Sequence, residues 1–160
     1  LVEITESTTP IVIRRRELRM DSGGPGKSRG GLGQVIELEA VKGAPLTIYG
    51  TVDRVRYPAR ARRGGRAGVC GAFEHSSGEP FHGKGACLLE PGQRLRVLTP
   101  GGGGYGSPLE RPPERVAEDL RNSLISAESA KTVYGVSVLP DGAVDEVDTR
   151  RLRKELRKEA

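Results

Sequence analysis

The sequence predicts an α+β chain: a mainly antiparallel β body, sandwich- or barrel-like, over residues 1–107, then small helices packed on it over residues 108–160. Three observations lead to this. Apolar residues alternate with period two in the earlier part of the chain, as from Gln34 to Val41. After Pro108 they recur at helical spacing, so strands come first and helices last, an order that favours α+β over alternating α/β. Glycine supplies 23 of the 160 residues, and its entropic cost in regular structure argues against a mainly helical protein.

Each element has its own local reason. Ile11-Val12-Ile13 opens a β run that continues to Met20 and stops at the breaker Asp21-Ser22-Gly23-Gly24-Pro25-Gly26. In the next strand Ile36, Leu38 and Ala40 point one way, and Glu37 and Glu39 the other. A turn is expected at Lys42-Gly43-Ala44-Pro45, followed by a strand with Leu46, Ile48, Gly50 and Val52 on its apolar face. Residues 54–68 are basic and glycine-containing and read as a loop. Pro91-Gly92 sits at the centre of a type II turn between Leu88-Leu89 and Leu95-Val97, which predicts a hairpin with Leu95 and Val97 inward and Arg94 and Arg96 toward solvent. Gly101-Gly102-Gly103-Gly104 excludes regular structure. Pro113 is suited to start a helix carrying Val116, Ala117, Leu120 and Leu124. Ser126 is an N-cap for a short helix that ends at Gly135, and Val136–Leu139 is a short strand. Asp141-Gly142 is a turn, and Asp145 caps a last helix with Leu152 and Leu156 inward and a basic end.

Composition excludes several classes. No run approaches the ~20 apolar residues of a membrane-spanning helix, and two cysteines exclude a disulfide-rich scaffold. No basic-then-apolar leader is visible, so a reducing, cytoplasmic setting is expected. The chain begins at Leu1, and the expectation is a piece of a longer product. The net charge of +5 permits anionic partners, nucleic acid included.

Four patterns bear on chemistry. Asp21 to Ser28 nearly matches G-x-x-x-x-G-K-[ST], with Asp21 in place of the first glycine. That phosphate loop needs a buried strand before it and a helix after it. Here Arg14, Arg15, Arg16 and Arg19 precede it and Arg29-Gly30-Gly31-Leu32-Gly33 follows, so a connection shaped by glycines at positive φ is the expectation. Cys70, His75, His82 and Cys87 form C-x4-H-x6-H-x4-C. On a hairpin turning near Ser77-Gly78, the Cys pair and the His pair fall on opposite faces roughly 16 Å apart, too far for one zinc. Arg29-Gly30-Gly31 and Arg63-Gly64-Gly65 resemble arginine–glycine RNA-binding segments. The basic stretch Arg54, Arg56, Arg60, Arg62, Arg63 and Arg66 reads either as a solvated loop or as an anion-binding one. The tetraglycine segment either brings backbone N–H groups to an anion or lets chains cross tightly.

Several segments together resemble one family. They are Glu17 to Lys27, Arg29 to Gly33, Pro91 to Arg96, Thr99 to Gly106, Pro113 to Asp119, Tyr134-Gly135-Val136 and Asp141 to Asp145. In order, and over nearly the whole chain, they resemble the C-terminal part of the hydantoinase B / N-methylhydantoinase / 5-oxoprolinase family. The resemblance implies a subunit of an ATP-dependent enzyme that opens cyclic amides such as hydantoins or 5-oxoproline. A hydantoinase A type subunit or domain would bind ATP and Mg and phosphorylate the substrate. The hydantoinase B type subunit would complete the hydrolysis, with its divalent metal held by the family's N-terminal part. No metal ligand, catalytic residue or cofactor is therefore assigned to this chain. The implied partners are the A-type subunit, the remainder of the same subunit and a small cyclic amide. Asp21, Ser22 and Arg29 lie in the matching glycine motifs, and Asp53 and Arg54 match an acidic–Arg pair that follows the family's strand. These five are the candidate substrate-binding residues. Ser28, where an aromatic residue is common, and the basic Tyr57 to Arg63 depart from the family pattern. A subunit of an acetone- or acetophenone-type ketone carboxylase is the alternative enzyme, and a basic nucleic-acid-binding module the alternative of another class.

Overall fold

In the computed structural model, residues 2–41, 43 and 45–159 are described. Within the expected turn at residues 42–45, Lys42 and Ala44 lie outside the described residues. Contacts divide the chain into two units. One comprises Leu1–Arg19, Gly33–Tyr57 and Cys70–Pro100, the other Met20–Leu32, Pro58–Val69 and Gly101–Ala160.

The first unit is two antiparallel sheets. Strands β1 (Ile11–Leu18), β2 (Gln34–Ala40), β4 (Ala72–His75) and β6 (Arg94–Leu98) form a four-stranded sheet in the order β1-β2-β6-β4. Strands β3 (Leu46–Thr51) and β5 (Lys84–Leu89) pair separately. Ala40, Cys87, Leu89 and Leu95 are buried together, with Leu46, Ile48, Phe73, Phe81 and Val97 around them. The two sheets thus share one apolar layer, and no closed barrel forms among the described residues. The α+β, mainly antiparallel expectation holds.

The alternation of β2 and β6 sorts their faces. Leu38 pairs with Leu95 and Ile36 with Val97, while Glu37 faces Arg96 and Glu39 faces Arg94. The register of β1 against β2 shifts between Ile13 and Arg15, and Arg14 at that irregularity reaches Glu39, Nε to Oε2 at 2.9 Å. Arg94 contacts both Glu37 and Glu39, and Arg96 contacts Glu74. The hydrogen bond from Arg14, more than the other nearby charges, holds the Glu39 carboxyl below its ordinary value. Arg14, Arg94 and Arg96 are therefore neutralised on this face. Solvent screens exposed pairs of this kind, so they set register more than stability.

Two sequence expectations need correction, and one helix was not foreseen. The Pro91-Gly92 turn exists, with Gly92 at φ +85 and the Gln93 N–H donating to the Glu90 carbonyl at 2.9 Å. Its flanking strands do not pair with each other. β5 pairs with β3, and β6 inserts between β2 and β4, so the turn carries the chain from one sheet to the other. The hairpin joining Cys70–His75 to His82–Cys87 fails for the same reason: β4 pairs with β6, not β5. Helix α1 (Val2–Thr8) has no sequence signal, because its residues carry no clear apolar period. The Glu6 carboxylate ties it to β1 by accepting from the Ile13 N–H at 2.7 Å.

The second unit combines extended glycine-rich segments with a small helical cluster. Helices α2 (Pro113–Arg121) and α3 (Ala127–Thr132), strands β7 (Ser137–Val138) and β8 (Val144–Asp145) and helix α4 (Glu146–Glu159) follow one another. Their core is Val116, Ile125, Ala130, Tyr134 and Val136. α2 starts at Pro113 as expected but stops before Leu124, since Ser123 turns left-handed at φ +55. The caps are as expected: Ser126 Oγ accepts from the Ser129 N–H, and Asp145 Oδ1 from the Asp148 N–H, both at 3.0 Å. Gly135 is left-handed at φ +62. No described helix is long and apolar enough to cross a membrane.

The remaining core of this unit is main chain against main chain. Gly24 N–H donates to the Gly102 carbonyl, Gly102 N–H to Gly31, Gly104 N–H to Arg66 and Arg66 N–H to Pro25. A Cβ on Gly24, Gly30, Gly101, Gly103 or Gly104 would overlap a carbonyl oxygen of a neighbouring segment. The tetraglycine segment is thus a tight crossing of chains, and the N–H groups of Gly101, Gly102 and Gly104 are taken by carbonyls. The same geometry corrects the expectation of a connection shaped by glycines at positive φ. In the 21–28 loop the residue at positive φ is Asp21, at +58, and Gly23, Gly24 and Gly26 are there for close approach.

Candidate functional site

The five candidate residues fall in both units, and each set is described within its own. In the second unit Asp21 adopts a left-handed conformation. Its carboxylate accepts from the Ser126 N–H at 3.1 and 3.2 Å, and its own N–H donates to the Leu124 carbonyl. Asp21 thus anchors the glycine loop to the start of α3, where a negative charge is favoured. Ser22 is fully buried, and its carbonyl accepts from the Val69 N–H at 2.9 Å. Arg29 forks onto Asp119, Nε to Oδ2 at 3.2 Å and Nη2 to Oδ1 at 3.3 Å, and also donates to the Gly30 carbonyl.

Sequence reasoning missed the centre of this arrangement. Asp119 lies on α2, and Arg111 donates to its Oδ2 at 2.8 Å. Its side chain is 8% exposed, those of both arginines 14%. Arg111 also holds the Lys27 carbonyl, and Arg153 of α4 holds the carbonyls of Arg111 and Tyr134. In the same cluster Tyr134 is 1% exposed, its hydroxyl without a hydrogen-bond partner among the described residues. Burial is the largest influence on that phenol and pushes its pKa up, so it stays protonated at physiological pH. One signal was available: Asp119 follows Val116 by three residues, which places it near the apolar stripe of α2.

In the first unit Asp53 and Arg54 follow the end of β3 after Val52. Asp53 pairs with Lys84 at 2.9 Å, and that hydrogen bond, with the charges of Lys84 and Arg54, holds its carboxyl below the ordinary value. Arg54 has φ +61, a conformation few non-glycine residues adopt. Both line a concavity of about 580 Å³.

The other patterns resolve as follows. His75 Nε2 lies 3.1 Å from the Leu88 carbonyl, and Nδ1 lies against Ser77. Among the described residues no three His, Cys, Asp or Glu side chains gather as metal ligands. Cys87 is buried, and burial first, then Glu79, raises its thiol pKa; Cys70 is partly exposed. An alkylating reagent at neutral pH is expected to label Cys70 well before Cys87, as peptide mass mapping over time would show; equal labelling would contradict the burial of Cys87. Arg60, Arg62, Arg63 and Arg66 are exposed and form no ion pair among the described residues.

Antiparallel sheets in the first unit and, in the second, main-chain crossings that only glycine admits define a mainly antiparallel α+β chain. The chain belongs to the Hydantoinase B/oxoprolinase family, whose pattern matches residues 1–108. It is 37% identical over 160 residues to the caprolactamase subunit beta of Pseudomonas jessenii, covering 95% of this chain and 27% of that one. The crystal structure of ATP-dependent caprolactamase from Pseudomonas jessenii superposes with TM-score 0.74 at 34% identity, over 96% of this chain and 28% of that one. Nucleotide-free acetone carboxylase superposes with TM-score 0.79 at 24% identity, covering 99% of this chain and 26% of that one, and this likeness concerns the fold alone. The chain thus spans about a quarter of the length of these relatives.

Proposed function

We propose that this chain is part of a hydantoinase B type subunit of an ATP-dependent enzyme that opens cyclic amides. The observation that carries the reading is its similarity, along 95% of its length, to a caprolactamase beta subunit. Hydantoins, N-methylhydantoin, 5-oxoproline and lactams are the candidate substrates. An A-type partner would supply ATP and Mg and activate the ring by phosphorylating its amide oxygen. A divalent metal in the remainder of the B-type subunit would direct water to the activated carbonyl carbon. The described residues of this chain offer no donor set for such a metal, so no step is placed on them. Their part is scaffolding: Asp21, Ser22 and Arg29 fix the glycine loop, and Asp53 and Arg54 face a ligand-sized cleft. A cytoplasmic setting goes with this reading.

The test is reconstitution. The full-length subunit with its A-type partner is expected to consume ATP and open hydantoin, 5-oxoproline or caprolactam, as liquid chromatography of the products would show. This chain alone is expected to do neither. Turnover by the chain alone would overturn its scaffolding role. A product formed only with bicarbonate and a ketone would replace hydrolysis by carboxylation. Retention on nucleic acid, abolished by Arg→Ala changes at Arg60, Arg62 and Arg63, would favour a binding module instead.

A further inference from the structure

The cleft beyond β3 has the size, charge and rigidity of a ligand site. Its volume of about 580 Å³ falls in the range of small-molecule pockets, roughly 300–1,000 Å³. Val52 and Val55 give it a partly buried apolar floor, and Tyr57, 77% exposed, stands at its margin. Its charge is unbalanced. Asp53 is occupied by Lys84, and the Arg54 and Arg56 guanidinium groups form no ion pair among the described residues. Two such forks beside an apolar surface suit a planar or tetrahedral oxyanion, which arginine binds through paired N–H groups.

The backbone that presents Arg54 is held in place. The Val52 N–H donates to the Gly83 carbonyl at 2.9 Å, and the Arg54 carbonyl accepts from the Gly71 N–H at 3.0 Å. Within this anchored stretch Arg54 is kept left-handed at φ +61. A glycine would adopt that conformation without strain. An arginine there sets a charged side chain on a backbone suited to glycine, and strain of this kind concentrates at ligand sites.

We propose that this cleft binds a small organic anion, with a carboxylate or phosphate held by Arg54 and Arg56 and the body of the ligand lying on Tyr57 and the two valines. Isothermal titration of the full-length subunit at low salt tests this, with ADP, inorganic pyrophosphate and glutarate as probes. At least one is expected to bind saturably, and Arg56→Gln to weaken it tenfold or more. Glutarate binding without the phosphates marks a carboxylate ligand, and the reverse a phosphorylated one. Arg54→Gly separates ligand from fold: it relieves the left-handed backbone, so the melting temperature should hold or rise while binding is lost. Saturable binding by none of the probes, or binding that either variant leaves unchanged, overturns the proposal. The readout is binding and not turnover, so its failure leaves the hydrolase reading intact.

Discussion

Gly104→Ala is expected to abolish the folded state of the second unit, while Gly31→Ala is expected to leave it intact. Both residues sit in the same glycine-rich assembly, and neither has positive φ. At Gly104 a Cβ would overlap the Pro25 carbonyl oxygen and reach within 2.6 Å of the Gly24 carbonyl oxygen. Ordinary overpacking costs about 1–3 kcal/mol because side chains can shift aside. Here the obstacles are backbone carbonyls, already fixed by the hydrogen bonds that the Arg66 N–H donates to Pro25 and the Gly30 N–H donates to Gly24, so the cost should exceed that range. At Gly31 a Cβ meets nothing within 4 Å, and the lower backbone entropy of unfolded alanine should offset any loss. Soluble yield and circular-dichroism melting of the two variants would check this pair. A cooperative melt of Gly104→Ala near the parent temperature would show that the segments can part to admit a methyl group.

The second large effect is expected at Asp119. Asp119→Asn keeps the shape of the side chain and removes the only carboxylate that Arg29 and Arg111 contact among the described residues. Two largely buried guanidinium groups would then lack a countercharge. Removing one partner of a buried pair costs about 3–5 kcal/mol. For a chain of this size that corresponds to a fall in melting temperature of roughly 6–20 °C. Arg29→Lys should cost less, since it keeps the charge and loses only the two-pronged geometry. Differential scanning fluorimetry of the parent and the two variants would order them. A fall of under about 3 °C for Asp119→Asn would mean that water already shares the site.

How much of this was legible in the sequence depended on the range of the interactions. The alternation of Ile36, Leu38 and Ala40 against Glu37 and Glu39 is a property of one strand, and it read correctly. So did the start of α2 and the caps at Ser126 and Asp145, which are settled within one helical turn. Strand partnership is not local. Pro91-Gly92 specifies a reversal, but whether its flanks pair depends on β2 and β3, far earlier in the chain. The glycine excess was visible as composition, while its cause was hidden. Gly104 must be glycine because of Pro25, which belongs to a different glycine motif, and no single-chain pattern encodes that crossing. The candidate site divides in the same way. Asp53 and Arg54 are neighbours on the chain and share one cleft. Asp119 looks like any charged residue of an amphipathic helix until Arg29, 90 residues earlier, folds onto it.

The main-chain core of the second unit changes how its stability should respond to temperature. Unfolding a conventional core exposes hydrocarbon, which raises heat capacity, whereas exposing peptide groups lowers it. The segments around Gly24, Gly30, Gly65, Gly101 and Gly104 bury peptide groups against peptide groups. The backbone of Arg66 takes part in the same stack, donating to Pro25 and accepting from Gly104. A unit held this way releases less hydrocarbon per residue on unfolding, so its free energy should curve less with temperature than that of the first unit's apolar layer. It should lose less of its stability on cooling, because the part of a core that weakens in the cold is the apolar part.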